Sequence, residues 1–238
     1  MNIKDELEKI WSQDYINELP LFIKERGYVF SINDIQRDFL ITGINPSFRE
    51  GEQKISFGFD FQETLRKAEW DNYWGSLKKM VYDQNNFDLR ERTAYLDIFY
   101  FREKNQKILK DEILKRNCGI SFIIDQLRVT QKTIEEIIQP KVIIVKNKES
   151  AAYWGKYADK GLIWMGYQLE KIELFECGEL YKINGFIDSP ERINKEFSET
   201  KLKNSLILFS QHINQYTKRE KRPTAIFING LLENYYQK

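Results

Sequence analysis

The stretch Phe39-Leu40-Ile41-Thr42-Gly43-Ile44-Asn45-Pro46-Ser47 constrains the fold more than any other part of the chain. The apolar run up to Gly43 suits a buried strand, and the Gly and Pro that follow turn the backbone sharply out of it. Asn45 is the polar side chain caught in that exit. It therefore stands at the carboxyl end of a strand, where open α/β sheets place their ligands. A second exit comes far downstream, where Ser205-Leu206-Ile207-Leu208-Phe209 runs into Ser210-Gln211-His212. His212 is the only histidine in the protein. Two polar side chains at two strand ends are thus the first candidates for one site.

The 238 residues, 42% hydrophobic and 14% aromatic, suffice for one sizeable core and do not read as disordered. One domain spanning 1–238 is expected. No apolar stretch reaches about 18 residues, so no membrane span is predicted. The opening Met1-Asn2-Ile3-Lys4-Asp5-Glu6 reads as a polar helix start without a hydrophobic leader, which points to a cytoplasmic protein. Cys118 and Cys177 read as free thiols of a reducing compartment. With a single histidine they make a poor zinc set, so no metal is expected. Neither a P-loop nor a Gly-x-Gly-x-x-Gly fingerprint occurs, and no organic cofactor is implied.

Along the chain, residues 4–17 and 18–27 read as amphipathic helices within an N-terminal helical extension, 1–37. Strands are predicted at 38–43, 93–99, 141–145 and 204–209, the third β-branched and apolar like an interior parallel strand. Helices are predicted from Phe61 to about Tyr82, with Leu65, Ala68, Trp74, Leu77 and Val81 at helical spacing, and over 105–116, 121–138 (broken at Gln139-Pro140) and 148–158. Gly161, Gly166, Gly178 and Gly185 punctuate an insert of short strands or hairpins at 161–187. Ser189-Pro190-Glu191 carries the signature of a short helix start. A final helix covers 224–236, with Ile226-Phe227-Ile228-Asn229 as a competing strand. The alternation predicts a three-layer α/β/α sandwich around a central four-stranded, mainly parallel sheet.

The net charge of +1 gives no overall pull toward nucleic acid. Between Lys201 and Pro223, however, Lys201, Lys203, Lys218, Arg219, Lys221 and Arg222 face Glu220 alone. Such a run is either a solvated loop or a cationic rim for phosphate beside His212.

With Gly43-Ile44-Asn45-Pro46 at one strand end and His212 at another, the chain resembles the uracil-DNA glycosylase superfamily. The first motif is similar to the Gly-Ile-Asn-Pro-Gly signature of the mismatch-specific uracil and thymine-DNA glycosylase branch, with Ser47 in place of the last glycine. Asn72-Tyr73-Trp74-Gly75-Ser76-Leu77 resembles that branch's Asn-x-Phe-Trp-Lys helix. Pro140-Lys141-Val142-Ile143-Ile144-Val145, followed by Asn147-Lys148-Glu149-Ser150-Ala151, resembles its third strand and Gly-Lys-x-Ala helix start. The second motif departs: His212-Ile213-Asn214 stands where the superfamily has His-Pro-Ser or Asn-Pro-Ser.

The resemblance implies hydrolysis of the N-glycosidic bond of a damaged or mismatched pyrimidine in DNA, with water as the only second reactant. Asn45 would hold that water against C1′ of a flipped nucleotide, unless its amide only bonds the local turn. His212 would donate to the departing base, unless it is a solvent-facing or capping histidine. Gly43, Ile44 and Ser47 fall in the substrate motif. Among Phe48, Phe57 and Phe59, Phe57 is the preferred stacking platform. Asp97 stands nearest the superfamily's base-reading position. It would accept from a base N–H or select amino-bearing bases, or else pair with Arg102. Arg49, Lys218 and Arg219 are candidates for phosphate contact, Asn214 lies in the second motif, and Tyr216 is a candidate wedge. DNA is the expected partner, through 201–222. Trp70, Trp74, Trp154 and Trp164 read as packing. The same fold with a remodelled pocket would instead be a nucleic-acid or nucleotide binding module.

Overall fold

The computed structural model describes residues 1–32, 34–51, 55–67, 71, 74–83, 87–214 and 216–236. The strands are β1 (Val29–Ile32), β2 (Phe39–Gly43), β3 (Phe57–Asp60), β4 (Tyr82–Asp83), β5 (Phe87–Asp88), β6 (Thr93–Asp97), β7 (Val142–Val145), β8 (Tyr167–Phe175), β9 (Gly178–Phe186) and β10 (Leu206–Ser210). The α-helices are α1 (Ile3–Trp11), α2 (Phe22–Arg26), α3 (Phe61–Arg66), α4 (Trp74–Val81), α5 (Asn117–Lys132), α6 (Ala151–Trp154) and α7 (Ala225–Leu231).

The main sheet is mixed and six-stranded, in the order β6-β2-β7-β10-β9-β8. The step from β6 to β10 is parallel, and β9 and β8 are added antiparallel. The expected four-stranded sheet is therefore too small, because the hairpin of the 161–187 insert pairs through β9 with β10. β2, β6, β7 and β10 are buried at every position, as strands covered on both faces must be. Their side chains alternate between two cores. Leu40, Ile143, Val145 and Ile207 pack with α1 and α5 through Leu7, Phe122 and Leu127. Phe39, Ile41, Ile144 and Leu208 pack with α3, α4 and α7 through Leu65, Leu77 and Ile228.

Local signals explain several boundaries. Asn2 caps α1 by accepting from the Lys4 amide at 3.1 Å, and Thr224 caps α7 by accepting from Phe227 at 3.3 Å. α5 runs into a π-helical turn that stops at Gln139, in the left-handed conformation before Pro140. α7 continues through a π-helical turn at Leu232–Tyr236, so the competing strand at 226–229 does not form.

Other expectations are corrected. The extension 1–37 is not wholly helical, since β1 forms a small parallel sheet with β3. The single helix from Phe61 to Tyr82 is two helices, and the chain leaves α3 at Lys67 with ψ 130°. Ala68, Trp70, Asn72 and Tyr73 lie outside the described residues. The stretch 105–116 is helical only over 107–113, mostly as a π-type turn at Leu109–Ile113, and 148–158 only over 148–154, where a 3-10 turn leads into the one-turn α6. At Ser189 there is no helix: its hydroxyl accepts from the Glu191 amide at 3.1 Å and closes a turn. Among the described residues, no helix is long and apolar enough to cross a membrane.

Candidate active site

β6, β2, β7 and β10 run parallel, so their carboxyl ends share one edge of the sheet. Asn45 follows β2 and His212 follows β10, two strand spacings apart, or roughly 10 Å between backbones. Along that edge the register pairs Gly43 with Asp97, and Lys146 comes one residue after the Thr42–Val145 pair. Asp97, Gly43 and Lys146 thus form a row across three strands. All three carry the parity of Ile41, Tyr95 and Ile144, which face the α3 and α4 core.

That row is built for charge. Gly43 has no unusual backbone angle; what its position needs is the missing Cβ, because the Asp97 carboxyl occupies the space above it. Asp97 is buried, and its Oδ1 accepts from the Tyr95 hydroxyl at 2.8 Å. Burial pushes its pKa up to about 6, against the pull of the Lys146 ammonium and the Tyr95 hydrogen bond. Lys146 is buried too, and desolvation brings it down to about 8 against the pull of Asp97. Its Nζ lies 5.7 Å from the centre of the Tyr95 ring. Around neutrality both groups are therefore charged in a water-poor place, a condition typical of functional sites.

Asp97 opens into a cavity of about 820 Å³, within the range of small-molecule sites. Phe48, Phe57, Phe59 and Trp74 supply its aromatic wall, and Pro46, Ser47, Arg49, Arg102 and Lys104 complete the rim. Trp74 therefore lines the site as well as packing, 5.3 Å from Phe59 and 5.4 Å from Tyr95. Arg102 is buried, with its guanidinium 5.2 Å from the Phe48 ring and 5.1 Å from Phe57. It donates to the carbonyls of Ile55 and Arg26 at 3.3 and 3.4 Å. Asp97 thus bonds Tyr95 and not Arg102. The Arg102 guanidinium lies over one face of Phe57, while Phe59 and Trp74 pack against each other and against Tyr95.

Asn45 is half-buried beside the cavity. Its Nδ2 donates to the Glu103 carbonyl at 2.6 Å and to Pro46 at 3.1 Å. The local-turn reading is thus realised for the nitrogen. Among the described residues nothing donates to Oδ1, and Asn45 is not itself a lining residue of the cavity, although its neighbours Pro46 and Ser47 are. Ile44 packs into the core and does not reach the cavity.

His212 lies in an adjoining cleft of about 630 Å³, with Asn147, Lys148 and Gln211. Lys104 is a lining residue of both cavities. The His212 residue is exposed, yet partial desolvation acts on its imidazole and the Lys146 ammonium adds repulsion. Both hold the imidazole below its usual pKa, hence neutral at physiological pH.

The basic run does not form one rim. Lys201 and Lys203 precede β10 whereas Lys218, Arg219, Lys221 and Arg222 follow it, so the strand carries them to opposite edges of the sheet, roughly 16 Å apart. After His212, Asn214 accepts from the Tyr216 amide at 2.8 Å, and this turn leaves Tyr216 82% exposed. Arg219 approaches Asp83 at 3.8 Å, and Arg49 bonds Asp71 at 2.9 Å. Among the described residues no cluster of three His, Cys, Asp or Glu is arranged to hold a metal ion. Besides Tyr95 and Lys104, the sequence reading missed Lys146. The available signal was its parity with Val142 and Ile144, which turns it to the same face as Asp97.

A scan against protein-family models gives no match, and neither does a search of curated proteins.

Proposed function

We propose that this chain is a cytoplasmic DNA glycosylase of the uracil-DNA glycosylase type, hydrolysing the N-glycosidic bond of a damaged or mismatched pyrimidine. The observation that carries this reading is the locked amide of Asn45. Nδ2 is held by the Glu103 and Pro46 carbonyls, which fixes the amide beside Pro46 and Ser47, two residues that line the aromatic cavity. A six-stranded mixed sheet with helices on both faces is compatible with the three-layer sandwich of that superfamily.

In this reading the extruded base stacks against the aromatic wall of the cavity and presents its polar edge to Asp97. Asn45 Oδ1 accepts a hydrogen from water and aims the oxygen at C1′. Asn is too weak a base to drive the step, so the rate depends on stabilising the departing base. Neutral His212, in the cleft that shares Lys104, donates to that base as it takes the bonding electron pair. Tyr216, Lys218 and Arg219 lie on the loop after His212, suited to a wedge and to phosphate contact.

The test is incubation with duplexes bearing uracil, thymine opposite guanine, hypoxanthine or modified cytosines, followed by alkaline cleavage at abasic sites. Strand breaks with at least one lesion are expected. A second reading, a binding module with this fold, is favoured by the exposed position of His212 outside the aromatic cavity. Tight DNA binding with no break on any lesion would select it.

A further inference from the structure

We infer that the cavity reads its base through a single atom, Asp97 Oδ2, and thereby selects a pyrimidine with an exocyclic amino group over uracil. This rests on the reading of the cavity as a base pocket, and it names the substrate class. Of the two carboxyl oxygens, Oδ1 is engaged by the Tyr95 hydroxyl at 2.8 Å. No described residue donates to Oδ2, and Asp97 lines the cavity wall. The carboxyl cannot swing away, because Tyr95 holds one oxygen and the strand backbone at Gly43 lies beneath it.

The sense of the reader follows from its ionisation. A carboxylate only accepts, whereas a protonated carboxyl can donate through its free oxygen. Lys146, next along the same edge, favours the ionised form, and Tyr95 donates to it. The remaining charged groups of this cavity are Arg49, Arg102, Lys104 and Asp71. Asp71 is paired with Arg49, Lys104 with Glu50, and Arg102 bonds the Arg26 and Ile55 carbonyls, which leaves Asp97 to meet the base edge. An ionised Oδ2 can accept from an amino group at the ring edge. Uracil offers only one N–H on that edge, flanked by two carbonyl oxygens that the carboxylate repels. Lys146 is a positioning residue here: it touches no base and acts through the charge state of Asp97.

Free bases separate recognition from bond cleavage. Titration calorimetry with cytosine and uracil at neutral pH is expected to give about 10-fold or more tighter binding of cytosine. Asp97→Asn, whose amide can offer either an acceptor or a donor, is expected to lose or invert that preference. Should this variant not fold, the wild-type pH series decides. The preference is expected to shrink below about pH 6, where Oδ2 becomes a donor. Lys146→Met is expected to move that change to higher pH, which a purely structural lysine would not do. Equal or tighter binding of uracil, no measurable binding of either base, or a preference unmoved by both Asp97→Asn and pH would each overturn the inference. Cytosine preference without excision of any lesion would leave it standing while removing the glycosylase reading.

Discussion

The carboxyl of Asp97 lies directly over Gly43: a Cβ at position 43 would stand 1.9 Å from Asp97 Oδ1 and 2.8 Å from the Tyr95 hydroxyl. One missing methyl group on β2 thus admits the polar centre of the candidate site. Gly43→Ala is expected to displace Asp97 and cost about 1–3 kcal/mol, the usual penalty for overfilling a packed site. Thermal unfolding reads the loss, and base titration reads the accompanying fall in selectivity. A variant as stable and selective as the wild type would show that the carboxyl has room to move.

Asn45→Ala removes both the amide oxygen and two hydrogen bonds. Excision on the best lesion is expected to fall about 10²-fold or more, with roughly 1 kcal/mol of stability lost from the turn. His212→Ala is expected to slow excision with almost no change in melting temperature, since that residue is exposed. Single-turnover kinetics on one duplex, beside melting curves, separates the two effects. Wild-type rates in both variants would remove these residues from the mechanism.

The buried charges of Asp97 and Lys146 weaken the fold around neutral pH. The native state holds the Asp97 proton more tightly than the unfolded chain does. It therefore gains stability as pH falls through about 6 toward the ordinary carboxylate range. It releases the Lys146 proton more readily, and so gains as pH rises through about 8 toward the ordinary lysine range. The double variant Asp97→Asn, Lys146→Met is expected to melt higher than the wild type, with the widest gap between about pH 6 and 8. Melting curves at acidic, neutral and alkaline pH test this. A double variant less stable at neutrality would mean that the pair supports the fold.

DNA contact is expected from the charges after β10 and not from those before it. Lys218→Ala with Arg219→Ala is expected to weaken binding to any duplex and reduce the salt slope by about 2. Lys201→Ala with Lys203→Ala is expected to change neither quantity. Tyr216→Ala is expected to lower excision from duplex more than from single strands, because a wedge is needed only where bases are stacked. Binding isotherms at several salt concentrations provide the comparison, and equal effects of the two double variants would place the interface elsewhere.

Apolar run length alone located the interior strands, since β2, β7 and β10 are buried on both faces and need little partner information. The same runs marked where Asn45 and His212 leave the sheet, because Gly, Pro and polar residues end a strand by local backbone chemistry. Pairing was decided only by the tertiary structure. The row Asp97, Gly43, Lys146 depends on register between segments distant in sequence, and no local pattern encodes which strands become neighbours. In sequence, Lys146 is merely a charge after an apolar run; in the sheet it is a buried cation next to a strand whose glycine leaves Asp97 room. The charges around β10 illustrate the reverse: they cluster when counted along the chain, but a five-residue strand holds them at opposite edges of the sheet.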